Sequence, residues 1–163
     1  MEQEHTSIPL RIVGGRLLEA RRSTMEAHAP HRLEPVATID EVIYINDSKA
    51  TFLDATLETL AQMDRHTVWI VGAWSDDMAE GHVQDLLKDR VAAVVLFGPI
   101  GDVQFGPDAR FFHAEELRTA VFLARELAKP GDAVLFSPAC PSGNGFANYE
   151  ERGTEFKRAV RDL

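Results

Sequence analysis

Five short apolar runs, rich in β-branched and aromatic residues, alternate with stretches of helical pattern, and this alternation constrains the chain more than any other feature. The runs fall at residues 42–45, 67–71, 92–97, 109–112 and 133–136. Segments 49–63, 83–88 and 115–128 read as helices between them, and a last helix runs from about Glu150 to the end. Within 115–128, Leu117, Val121, Ala124 and Ala128 recur at helical spacing beside Ala120 and Leu127, which makes one buried stripe. Strands apolar on both faces need cover on both sides, and a mostly parallel sheet wrapped by helices supplies it. The expected fold is therefore α/β: a Rossmann-like, open, mostly parallel sheet with helices on both faces, in a single domain.

Residues 1–30 stand apart from this pattern. Residues 8–13 read as a short strand ending at Gly14-Gly15, and 17–28 as a charged helix; Pro30 and Pro35 then bracket a junction. The expected organisation is an N-terminal extension or linker remnant over 1–30 and one domain over 31–163.

Several classes of function are disfavoured at once. A formal net charge of -9 is the wrong sign for a nucleic-acid footprint, which needs a basic face. The single cysteine, Cys140, allows no intrachain disulfide, and nothing in the sequence suggests an oxidising compartment or a cysteine-ligated metal site. The six histidines show no i, i+4 pair, so no zinc site is expected. The acidic start, Met1-Glu2-Gln3-Glu4-His5, is unlike a secretory n-region. No apolar run approaches the ~18 residues of a membrane span. A soluble cytoplasmic protein with no nucleic-acid or membrane partner is expected.

Open α/β sheets bind ligands beyond the carboxyl ends of their strands, which directs attention to the segment after each apolar run. Asn46-Asp47-Ser48-Lys49-Ala50-Thr51 comes after the first, and Gly72-Ala73-Trp74-Ser75-Asp76-Asp77 after the second. Gly98-Pro99-Ile100-Gly101 comes after the third, and residues 137–145 after the last. Asp47 or Ser48 is a natural N-cap, which would place Lys49 in a first helical turn, where free N–H groups already favour an anion. Lys49 then either binds a carboxylate or phosphate, or pairs with Asp47 or another acid on a solvated surface. The loop 137–145, dense in Gly, Pro and Ser, either turns its N–H groups and the Ser142 hydroxyl towards a ligand or merely connects two elements. Cys140 reads as a small buried residue, Trp69 as core and Trp74 as a rim contact. None of the four lysines, at 49, 88, 129 and 157, stands in a phosphate loop, so no ATP site is expected in this chain.

Four segments carry a family resemblance, in order: His31-Arg32-Leu33-Glu34, Tyr44 through Thr51, Ser137-Pro138-Ala139-Cys140, and Asn148-Tyr149-Glu150-Glu151-Arg152-Gly153. Over roughly residues 30–163 the chain resembles the C-terminal domain of the Mur ligases, closest to the UDP-N-acetylmuramoyl-L-alanine–D-glutamate ligase type. The resemblance implies a domain that closes over the site and brings D-glutamate, or another small dicarboxylate, to an acyl phosphate formed elsewhere. It implies that Lys49 pairs with one carboxylate, that Ser142 and the Tyr149 backbone N–H bind the other, and that Asp47 orients Lys49. No residue of this chain is assigned to bond-making. ATP and magnesium are implied for the complete family enzyme only, with the missing ligase domains as possible partners. The chain departs from the family at Phe52, where asparagine is usual, and at 72–77, which lacks the second glycine and the lysine. It departs again at Pro141, where alanine is usual, and at Gly143-Asn144-Gly145, where bulky residues are. The alternative expectation is a free-standing, non-catalytic binding or scaffolding module.

Overall fold

A computed structural model describes residues 29–99, 110–143 and 145–163. The strand and helix expected at 8–13 and 17–28 lie outside these residues. Residues 31–163 form one compact unit. Its core is a six-stranded sheet in the order β1-β2-β6-β3-β4-β5. The strands are β1 (Glu34–Ile39), β2 (Val42–Asn46), β3 (Thr67–Val71), β4 (Val91–Phe97), β5 (Phe111–Ala114) and β6 (Ala133–Phe136). Among the described residues four α-helices accompany them: α1 (Leu53–Gln62), α2 (Gly81–Arg90), α3 (Leu117–Leu127) and α4 (Tyr149–Arg161). A 3-10 turn, Asp76–Ala79, precedes α2. The α/β class and the mostly parallel sheet are as the alternating pattern requires.

The period-2 geometry of the strands divides the core in two. Val68 and Ile70 of β3, with Val134 and Phe136 of β6, face Leu117, Val121 and Phe156 of α3 and α4. Trp69 and Val71, with Ala133 and Leu135, face Leu60 of α1 and Val83 and Leu87 of α2. Both faces of the central strands are therefore covered, which explains why those strands are apolar throughout. Trp69 is fully buried, as expected, and its indole N–H donates to the Ser137 carbonyl at 2.8 Å.

Three local expectations need correction. The sheet begins with β1, an antiparallel edge strand that the sequence pattern hides: Pro35 sits at a register shift, and an edge tolerates its missing N–H. The hairpin to β2 turns on Asp40 and Glu41, both with positive φ (51° and 63°), in place of the usual glycine-containing pair. The strand expected at 109–112 is Phe111–Ala114. Helix α1 starts at Leu53 rather than 49, with Phe52 as an N-cap that offers no side-chain hydrogen bond.

Candidate functional site: a charged cavity beyond strands β2 and β6

β2 and β6 are parallel neighbours, and β6 also pairs with β3. The chain leaving β2 is held by tertiary hydrogen bonds. The Asp47 N–H donates to the Phe136 carbonyl (2.7 Å), and the Lys49 N–H to the His31 carbonyl (2.9 Å). The Ala50 N–H donates to the Asp47 carbonyl (3.0 Å), and the Ser48 N–H to Asn46 Oδ1 (3.2 Å). These bonds overturn the helix-start argument for Lys49. The amides at 47–50 are all engaged, so the segment is a pinned turn, not a first helical turn with free donors.

Asp47 is likewise not an N-cap. It is 2% exposed. Its Oδ1 accepts from the Leu33 N–H (3.1 Å), and its Oδ2 from the hydroxyls of Thr59 (2.9 Å) and Ser137 (2.7 Å). Ser137 in turn shares a 2.7 Å hydrogen bond with Thr56. Burial raises the Asp47 carboxyl above its usual range; the bonds from Ser137, Thr59 and Leu33 and the charge of Arg32 act against that rise. Among the described residues Asp47 makes no hydrogen bond to Lys49. It staples β2, β6 and α1 beneath the site.

A second buried layer ties the loop after β6 to the turn after β2. Arg152 of α4 is 1% exposed. Its guanidinium donates to the Ser48 hydroxyl (3.1 Å), the Ser48 carbonyl (2.8 Å) and the Cys140 carbonyl (3.0 Å). Ser48 Oγ donates to the Tyr149 carbonyl at 2.8 Å. Cys140 is half-buried; burial raises its thiol, against the opposing charge of Arg152. A side chain at Gly72 would meet the Cys140 sulfur at 2.8 Å, so that close approach needs glycine. Nothing in the sequence spacing singled out Arg152; only its place in a quoted family motif marked it.

Above these layers opens a cavity of about 360 Å³, walled by Lys49, Ala50, Thr51 and Phe52, by Ala55, Glu58 and Thr59 of α1, and by Arg32, Asp47 and Tyr149. It brings together three of the four residues expected to form the site. Ser142 is not in its wall; it is half-buried in the loop after β6. The Lys49 and Arg32 side chains are exposed, and neither forms an ion pair with any described residue. Tyr149 is the first residue of α4, and its backbone N–H has no acceptor among the described residues. The Asn148 side chain instead caps the Glu151 N–H at 2.8 Å. Sequence reasoning missed Arg32 and Glu58 as wall residues, because each reaches the cavity from a different segment. Trp74, expected at the rim, packs edge-on against Phe111 with centroids 5.0 Å apart.

Among the described residues no three His, Cys, Asp or Glu side chains cluster as metal ligands would. No lysine of the chain stands in a phosphate loop. None of the described helices is long and apolar enough to cross a membrane.

An open, mostly parallel sheet with a cavity beyond the carboxyl ends of its strands defines the class: an α/β domain of the open-sheet type. The chain belongs to the Mur ligase, glutamate ligase domain family, whose model matches residues 31–140. The UDP-N-acetylmuramoylalanine–D-glutamate ligase of Salinibacter ruber is 41% identical over 138 residues, 82% of this chain and 30% of that protein. The ligase of the same name from Christiangramia forsetii is 40% identical over 137 residues, 82% of this chain and 31% of that protein. The chain thus spans about a third of the length of the curated relatives it matches. A solved bifunctional folylpolyglutamate synthase/dihydrofolate synthase from Yersinia pestis shares the fold, with a TM-score of 0.51 at 20% identity. The match covers 84% of this chain and 32% of that one.

Proposed function

We propose that this chain is the D-glutamate-binding C-terminal domain of a UDP-N-acetylmuramoyl-L-alanine–D-glutamate ligase, which forms an amide bond at the expense of ATP in peptidoglycan precursor synthesis. The observation that carries the reading is the cavity beyond β2 and β6. Two exposed cations, Lys49 and Arg32, and Tyr149, the first residue of α4, line it above a buried, hydrogen-bonded base. Two cations suit a dicarboxylate, and a helix N-terminus suits one of its carboxylates. Lys49 binds one carboxylate and the Tyr149 N–H the other. Ser142 closes on the ligand from the flanking loop, as an outer contact. Asp47 acts by holding the Lys49 turn in place rather than by touching the lysine.

The contribution of such a domain is to position an amine nucleophile, and the separate nucleotide and UDP-sugar domains supply the activated carbonyl. On that reading the protein works in the cytoplasm and the isolated chain is inactive. Calorimetric titration with D-glutamate tests it: weak, millimolar binding that Lys49→Ala reduces supports substrate capture, and no binding at millimolar concentration refutes it. A second reading, a non-catalytic module, is favoured by Phe52, which is 60% exposed at the cavity rim where the family usually has asparagine. Restoration of ligase activity on mixing with a ligase that lacks its own C-terminal domain would exclude it.

A further inference from the structure

A histidine outside the cavity wall, His31, holds the Lys49 turn from both its main chain and its side chain. The His31 carbonyl accepts from the Lys49 N–H at 2.9 Å. The His31 ring, on a residue 8% exposed, meets the amide of Asn46, the last residue of β2, with Nδ1 2.9 Å from Asn46 Nδ2. Asn46 is fully buried, and its other partners fix which way its amide points. Its Oδ1 accepts from the Ser48 N–H (3.2 Å), a group that can only donate. Its Nδ2 donates to Glu34 Oε1 (3.0 Å), on a carboxylate that also accepts from the His31 N–H and pairs with Lys157. The second hydrogen of Nδ2 therefore points at the imidazole, and Nδ1 has to be the unprotonated, accepting nitrogen.

A proton on Nδ1 sets one N–H against another. Turning the Asn46 amide to accept it would set Oδ1 against Glu34 Oε1 and Nδ2 against the Ser48 N–H, so the turn would lose its tie to Asn46. The pair has no room to shift towards α4: a methyl at Gly153 would overlap His31 Nδ1 and crowd Asn46 Nδ2 at 3.0 Å. The charged groups around the ring are Glu34 of β1 and Glu150 and Lys157 of α4, and the Tyr149 ring stands edge-on with centroids 6.1 Å apart. Burial first, and Lys157 next, favours the neutral ring. We infer that His31 is a positioning residue for Lys49, a proton-sensitive latch: the neutral ring holds the turn in its binding form, and protonation releases it. The effect on affinity rests on the proposed acid-binding role of Lys49; the latch itself does not.

The test sets the titration of the His31 ring, followed by NMR, beside calorimetric D-glutamate affinity of the full chain, over the pH range in which the chain stays folded. If only the neutral-ring form binds, affinity should fall about twofold at the pH where His31 is half protonated and about tenfold one unit lower. His31→Asn, compatible with the φ of 65°, should abolish that dependence and so separates His31 from Asp47, whose burial also favours a proton. Lys157→Met removes a cation beside the ring and should move the midpoints of ring and affinity upward together, which keeps the test decisive if His31→Asn does not fold. Affinity that ignores the ring's titration, or that declines equally in His31→Asn, overturns the inference and leaves acid capture standing. Absence of D-glutamate binding at every pH overturns acid capture instead, and the Ser48 amide then decides the latch. A hydrogen-exchange protection factor that falls as His31 protonates supports it, and an unchanged one overturns it.

Discussion

Asp47 and Lys49 stand two residues apart on the same turn, yet belong to opposite regimes. The carboxylate of Asp47 is buried and receives three hydrogen bonds from Leu33, Thr59 and Ser137. The ammonium of Lys49 is exposed in a cavity wall and has no partner among the described residues. The same contrast runs through the whole site. Beneath it, Arg152 and Ser48 are saturated by protein groups; around it, Arg32, Lys49 and Glu58 are not. Polar groups that neighbours have satisfied hold the backbone, whereas charges left open to solvent are those that a ligand can use.

The contrast predicts that changes below the cavity act on stability and changes in its wall act on binding. Asp47→Ala strips three buried or half-buried donors of their acceptor and should lower unfolding free energy by about 3 kcal/mol in urea titration. A loss below about 1 kcal/mol, the scale of a single ordinary hydrogen bond, would mean the staple is dispensable. Gly153→Ala comes next. The new methyl would overlap His31 Nδ1 and crowd Asn46 Nδ2 (3.0 Å), a misfit between α4 and β2 expected to cost about 2 kcal/mol by the same assay.

Lys49→Ala should leave stability within about 0.5 kcal/mol, as at other exposed positions, and weaken D-glutamate binding about tenfold. Equal effects on both would erase the distinction between base and wall. Ser142→Ala should cost only about threefold in affinity, less than Lys49→Ala, because Ser142 lies outside the cavity wall. A larger loss would move the ligand towards the loop after β6.

The smallest effect concerns pH. Burial first, and then the charge of Lys157, lowers the His31 imidazole below its ordinary value of 6.5. The folded state thus favours neutral His31. The stability this gives is present above about pH 6.5 and is lost as pH falls through the lower folded value. His31→Asn, which tolerates the positive φ of 65° at that position, should flatten the decline in denaturant midpoints between about pH 7.5 and about pH 5. An unchanged slope would place the sensitivity elsewhere.

Much of this molecule is legible without coordinates. Runs such as Thr67–Val71 are apolar at nearly every position because both sheet faces are covered, so period and composition alone identify the parallel core. The α3 stripe of Leu117, Val121 and Ala124 is legible because one helix face is buried along its whole length. The edge strand β1 is not: its proline and its Asp-Glu turn are local signals against a strand, and pairing with β2 outweighs them. The start of α1 misled for a related reason. Asp47 carries the sequence signature of a cap, but a cap position is decided by which donor the carboxylate meets, and here those donors come from Leu33, Thr59 and Ser137.

The sequence by itself therefore determined the α/β class, the buried strands and the position of the turn after β2, since hydrophobic periodicity and strand-end location are local properties. Only the tertiary structure decided that Asp47 serves the scaffold while Lys49 faces the cavity, and that Arg32 and Glu58 join it. Those roles depend on which distant segments meet after the chain has packed, and spacing along the chain holds no record of that.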